Sequence, residues 1–167
     1  MKMPSTISCL IYLAFSLSMI KADSSVPDFD CDFEASFCGW VVDQAGDIQW
    51  TRLSGPTPTP DTGPSSDHTS GKGYYIYTET GDMDYGATAT LTSPSIPPLG
   101  VDGACVTFWY HMLGSYIGTL TVYNPVNNER WKKTGNQGNM WLQGNVWLEP
   151  SPSDTQLGSQ ARATTPR

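Results

Sequence analysis

Between Cys31 and Leu148, apolar side chains recur in short runs rich in aromatic and β-branched residues, broken by Gly, Pro, Asn and Asp at intervals too short for helices. The clearest predicted strands are Tyr74 to Thr78, Ala87 to Thr92, Cys105 to Met112, Thr119 to Tyr123 and Asn145 to Leu148. Several alternate with period two. In CVTFWYHM, Val106, Phe108, Tyr110 and Met112 share one face, and Cys105, Thr107, Trp109 and His111 the other. Leu120 and Val122 alternate with threonines in the same way, so one sheet face is predicted packed and the other half wet. The pattern predicts an all-β chain.

Residues 55 to 73, GPTPTPDTGPSSDHTSGKG, are predicted to be a long connection, because prolines remove ladder donors and glycines resist ordering. An extended linker accounts for them; Thr57 and Thr59 between prolines are also candidates for O-linked sugar. The chain has no Asn-X-Ser/Thr sequon. From Glu149 onward, EPSPSDTQLGSQARATTPR has no aromatic residue, one large aliphatic one (Leu157) and no alternation. Residues 149–167 are therefore predicted to form a disordered tail, unable to bury enough surface to offset their ordering entropy.

The opening residues have another plan. Lys2 precedes an uncharged, mostly apolar run from Ile7 to Ile20, which reads as a signal peptide over residues 1–22. Cleavage is expected after Ala22, with Ser18 as the rival, leaving 23–30 as a short lead. The run is shorter than the roughly 20 apolar residues that span a bilayer, and none follows it. No transmembrane span is therefore expected in the mature chain. Removing residues 1–22 also removes Cys9, which leaves Cys31, Cys38 and Cys105, an odd set for an oxidising compartment.

Composition narrows the function. A formal charge of −7 in 167 residues argues against a nucleic-acid partner. The one basic cluster, Arg130, Lys132 and Lys133 around Trp131, reads as a solvated strand face. The two histidines, His68 and His111, belong to no pattern that pairs a nucleophile with a base, so no enzyme is expected. GDMDYG, residues 81 to 86, departs from a calcium loop at Gly86 and Ser93, and a tight turn explains it better. SGKG, residues 70 to 73, lacks the upstream Gly and the following Ser/Thr of a phosphate loop. The aromatic residues, 11% of the chain, are read chiefly as core. The competing reading is a carbohydrate-stacking platform on exposed Trp131, Trp141 or Trp147, with Trp131 and Trp147 the ligand-facing candidates.

Five blocks then carry a resemblance: CDFEASFCGWVVDQAGDIQWTR, TGPSSDHTSGKGYYIYTET, ATLTSPSIPP, CVTFWYHMLGSYIGTLTVY and RWKKTGNQGNMWLQGNVWL. In this order they resemble the MAM domain of meprins, neuropilins and receptor-type tyrosine phosphatases, over residues 31–148. The resemblance implies a jelly-roll β-sandwich of two antiparallel sheets, found extracellularly, without catalysis, working in adhesion or in holding protein partners together. It implies a Cys31–Cys38 disulfide. It also implies that the family's third cysteine, matching Cys105, bonds to a fourth near the domain's end, which is absent here. Where the family has two further strands, this chain has residues 149–167. The expectation is thus a MAM domain missing its last strands, with Cys105 unpaired and able to link two chains. Related jelly-roll modules hold a structural cation, so Glu34 and Asp67 are tentative Ca²⁺ ligands, with no other cofactor expected. Expected partners are extracellular proteins or cell-surface glycoproteins, homophilic contact included. The alternatives are a carbohydrate-binding β-sandwich module and an accessory-domain fragment of a larger membrane receptor or protease.

Overall fold

A computed structural model describes residues 30–81, 83–124 and 128–164. The expected leader, its cleavage point at Ala22 or Ser18, and residues 23–29 of the expected lead lie outside the described residues. The described residues form nine strands: β1 (Val41–Val42), β2 (Thr51–Ser54), β3 (Tyr74–Tyr77), β4 (Thr88–Thr92), β5 (Ala104–Met112), β6 (Thr119–Tyr123), β7 (Glu129–Thr134), β8 (Gly138–Leu148) and β9 (Gly158–Arg162). Every pairing is antiparallel. One layer is a five-stranded sheet in the order β1-β4-β9-β6-β7; β2–β3 and β5–β8 form two separate pairs.

The alternation in β5 sets how the layers meet. Tyr110 and Met112 are buried and Val106 and Phe108 half-buried, while Cys105, Thr107 and Trp109 are exposed. Of this inward set, Val106 and Phe108 join Val146 and Leu148 of β8, Val122 of β6 and Trp131 of β7 in one apolar cluster with Ile96 and Leu157, and Tyr110 packs edge-on against Trp131. Because these side chains come from both the five-stranded sheet and the β5–β8 pair, the core lies between two faces, as in a sandwich. Gly144 falls in the middle of the eleven-residue β8, opposite Phe108 in register. A β-carbon there would enter the Phe108 ring, so glycine lets the ring lie flat against the neighbouring backbone.

The carboxyl-terminal stretch corrects the sequence reading. Residues 149–164 are not a disordered tail, and the sandwich does not lack a closing strand in its larger sheet. Ser151 exchanges backbone hydrogen bonds with Leu99, and Thr155 with Ile96. Leu157 is 2% exposed, and its carbonyl accepts from the Ser93 amide. β9 then runs between β4 and β6, paired to both along its whole length. Bulk hydrophobicity was the wrong measure, because a central strand can be ordered by ladders on both edges and covered by its neighbours' side chains. The Tyr123 ring occupies the place a side chain at Gly158 would need. Ala161 and Ala163 fit only because they are small, in a cluster with Ile48, Ala87 and Ala89 under Trp50 and Met83.

Cys31 and Cys38 are disulfide-bonded, with Cα atoms 5.7 Å apart. Arg52 of β2 pins this loop to β2–β3: it donates to the carbonyls of Phe33 (2.8 Å) and Glu34 (2.6 Å), and its guanidinium lies 4.4 Å from the Tyr74 ring centroid. Replacing both cysteines with serine is expected to cost about 2.5 kcal/mol by loop-closure entropy. A guanidinium titration should show this as a lower midpoint.

Cys105 gives a second correction. It is disulfide-bonded, and among the described residues no cysteine is free. A dimer linked through a free Cys105 therefore has no support.

Candidate functional site: an aromatic face on β5 and β8

The outward side of β5–β8 carries Cys105, Thr107 and Trp109 opposite Trp147, Asn145 and Gln143. This strip has no charged side chain, and at its centre Trp109 is 46% exposed. An indole on the wet face of a strand would ordinarily be free to rotate. Here His68 stacks on it, with ring centroids 3.7 Å apart and planes 18° from parallel.

His68 arrives on the connection between β2 and β3, which proves to be ordered rather than a bare linker. Its two ends are tied by aromatic side chains: the Tyr75 hydroxyl donates to the Gly55 carbonyl (2.7 Å), and Trp141 Nε1 to the Ser66 carbonyl (3.1 Å). In between, Gly63 donates to Leu113 (3.0 Å). The Thr57 hydroxyl donates to the Thr62 carbonyl. Trp141 packs edge-on against Tyr75 (5.8 Å), His68 (6.2 Å) and His111 (5.6 Å). Burial pushes the His111 imidazole below its ordinary pKa, against a hydrogen bond with Asn139 that favours protonation.

Asp67 shapes the last turn before β3. Its carboxylate accepts from the amides of Ser70 (2.6 Å), Thr69 (2.9 Å) and Gly73 (2.6 Å) and from the Ser70 hydroxyl (3.1 Å). Led by the Ser70 amide, these donors outweigh desolvation and lower its pKa to about 2. The next amide, Tyr74, donates to Glu34 Oε1 (3.1 Å). A β-carbon at Gly73 would strike that same carboxylate, so the two acids converge on one backbone step. As placed, both are occupied by backbone donors. Ca²⁺ takes six to eight oxygens, and among the described residues no group of three His, Cys, Asp or Glu is arranged to hold a metal.

Because the Asp67 pKa is lower in the folded chain than the ordinary value near 3.9, its contribution is complete above about pH 4 and is lost as pH falls through about 2. Asp67→Asn is therefore expected to be less stable than the parent at neutral pH. The difference should shrink between about pH 4 and pH 2. Thermal melts of both chains across that range would measure it.

The nominated tryptophans divide. Trp131 is not ligand-facing: it packs edge-on against Phe108 (5.0 Å) and Tyr110 (4.7 Å) in the core, because β7 turns that side chain inward. Trp147 is on the outward face but half-buried against Gly103, where a β-carbon would lie 2.7 Å from the indole. Trp109 was the missed residue; its signal was the alternation that sets a tryptophan beside Thr107 on the wet face. Neither imidazole forms a relay. His68 Nδ1 lies 3.4 Å from Thr69 Oγ1, and the Asp67 carboxylate accepts from the amides of Thr69 and Ser70.

The family model described as "MAM domain, meprin/A5/mu" matches residues 31–166. Neuropilin-1a of Danio rerio is 38% identical over 152 residues, covering 83% of this chain and 16% of that protein. Human MAM domain-containing protein 2 is 40% identical over 122 residues, covering 70% and 18%. Thyroid hormone-induced protein B of Xenopus laevis is 36% identical over 152 residues, covering 86% and 22%. The chain thus corresponds to a small part of each of these relatives. The match includes the stretch that forms β9, in agreement with its place at the centre of the larger sheet. By fold, by motif order and by these matches, the chain belongs to the MAM domain family.

Proposed function

We propose that this chain is an extracellular, non-enzymatic module that binds other proteins, in adhesion or in holding receptor assemblies together. The observation that carries this reading is Trp109: a large apolar side chain, 46% exposed on an uncharged strand face and fixed by the His68 stack. Rigid, half-exposed tryptophans are what protein interfaces use as anchors, since little side-chain freedom remains to be lost on binding. Oxidised Cys31, Cys38 and Cys105 support an oxidising, extracellular setting. Among the described residues no helix is long and apolar enough to cross a membrane.

The carbohydrate reading loses Trp131 to the core and keeps a half-buried Trp147, so the geometry favours protein. The test is retention of the biotinylated chain, clustered on streptavidin, by cultured cells. Retention should fall with Trp109→Ala and after mild protease treatment of the cells, and should survive glycosidases. Retention abolished by glycosidases but indifferent to Trp109→Ala would overturn the proposal, as would turnover of any substrate by the purified chain.

A further inference from the structure

Between β3 and β4 the chain reads ETGDMDYG, residues 79 to 86, with three acids in the six residues before Tyr85. No lysine or arginine occurs between Lys72 and Arg130. The Ala87 amide donates to the Asp84 carbonyl (3.0 Å), which closes a turn with Tyr85 and Gly86 at its tip. Gly86 takes a φ of +91°, the left-handed value that the third residue of a type II turn needs. The turn is anchored to the sheet. The Gly86 amide donates to the Ala163 carbonyl and the Ala163 amide to the Ala87 carbonyl, while Met83 packs on the buried cluster that holds Ala87, Ala89 and Ala163. With the chain fixed on both sides of it, Tyr85 stands 67% exposed. The other tyrosines of the described residues differ. Tyr75 and Tyr110 are buried, Tyr77 and Tyr123 half-buried, and Tyr74 lies under the Arg52 guanidinium. Tyr116 is 59% exposed but stands in GSYIG, with no acid beside it.

We propose that Tyr85 is a site of O-sulfation, taking a sulfuryl group from a nucleotide phosphosulfate donor on the secretory route. The phenol oxygen attacks sulfur, and the bond from sulfur to the donor's bridging oxygen breaks. The nucleotide leaves as its phosphate, and the phenolic proton passes to a base of the transferase. An enzyme that holds an anionic donor needs a basic site, and such a site draws in a tyrosine preceded by acids. Asp84, directly before Tyr85, is exposed and can meet that site. Arg162 of β9 reaches the turn at Gly86 but offsets only one of the three acids. Compartment separates sulfate from phosphate: tyrosine kinases work mainly in the reducing cytosol, whereas oxidised Cys31, Cys38 and Cys105 speak for an oxidising route. The sulfate ester stays ionised at any physiological pH, so it would set an anion on an anchored turn for the arginine or lysine of a protein partner.

This inference rests on the extracellular reading. Its test is expression of the full chain in secreting animal cells fed radiolabelled sulfate, with the chain captured from the medium. Label should be recovered as tyrosine sulfate after alkaline hydrolysis and should survive glycosidases. It should vanish with Tyr85→Phe, which removes one exposed hydroxyl, and persist with Tyr116→Phe. Asp84→Asn should slow labelling about tenfold, the loss of one charge-assisted contact with the transferase. Secretion of each variant at the parent's level checks its folding. Label that stays in Tyr85→Phe, label recovered only on sugar, or phosphate in place of sulfate on Tyr85 would overturn the proposal. A chain secreted without label would sink sulfation alone; a chain held inside the cells would sink the extracellular reading with it.

Discussion

A chain ended after Leu148 is expected not to fold. It would lose β9 from between β4 and β6, exposing two inner strand edges at once and removing every ladder bond that joins one half of the larger sheet to the other. Each of those hydrogen bonds is worth about 1 kcal/mol net, and domains of this kind are stable by only about 5–15 kcal/mol in total. Leu157, Ala161 and Ala163 would go as well, leaving Ile96 and Val122 in one cluster and Ala87 and Ala89 in the other uncovered. Far-ultraviolet circular dichroism and gel filtration of the shortened chain would measure the outcome. A cooperative melt close to that of the full chain would show that β9 is dispensable.

Leu157→Ala should be the most costly of the single substitutions, at about 3 kcal/mol from lost burial and the cavity left behind. Leu157 is 2% exposed and sits where the chain enters β9, in one cluster with Ile96, Val122, Val146 and Leu148. Its backbone is held on both sides, the amide by the Ser93 hydroxyl (2.9 Å) and the carbonyl by the Ser93 amide (2.8 Å), so the surroundings have little freedom to close around a smaller side chain. Val101→Ala is the matched control: Val101 is 90% exposed, and the substitution should leave the denaturation midpoint unchanged. Equal effects at the two positions would mean that Leu157 does not occupy the core.

Together these outcomes would separate two ways in which a chain builds a sheet. β5 supplies its own burial, with Val106, Phe108, Tyr110 and Met112 turned to one side. β9, GSQAR, brings almost none and is covered by Tyr123 from β6 and by the small-residue cluster around Ala89. A scale that weighs each segment by its own side chains finds the first kind of strand and misses the second.

The sequence by itself determined the all-β class, the strands β3, β4, β5 and β6, the faces of β5 and the family, because period-two alternation and turn residues are local properties of the chain. Only the tertiary structure decided that residues 158–162 lie at the sheet's centre, that Trp131 points inward, that His68 stacks on Trp109, and that Asp67 holds a turn. It also decided that Gly118 must stay glycine, since a β-carbon there would strike the backbone of Arg162 in β9. The physical reason is the same in each case. These outcomes depend on which distant groups arrive at one place, and a ladder partner, a covering ring or an approaching backbone leaves no mark on the residues beside it in sequence.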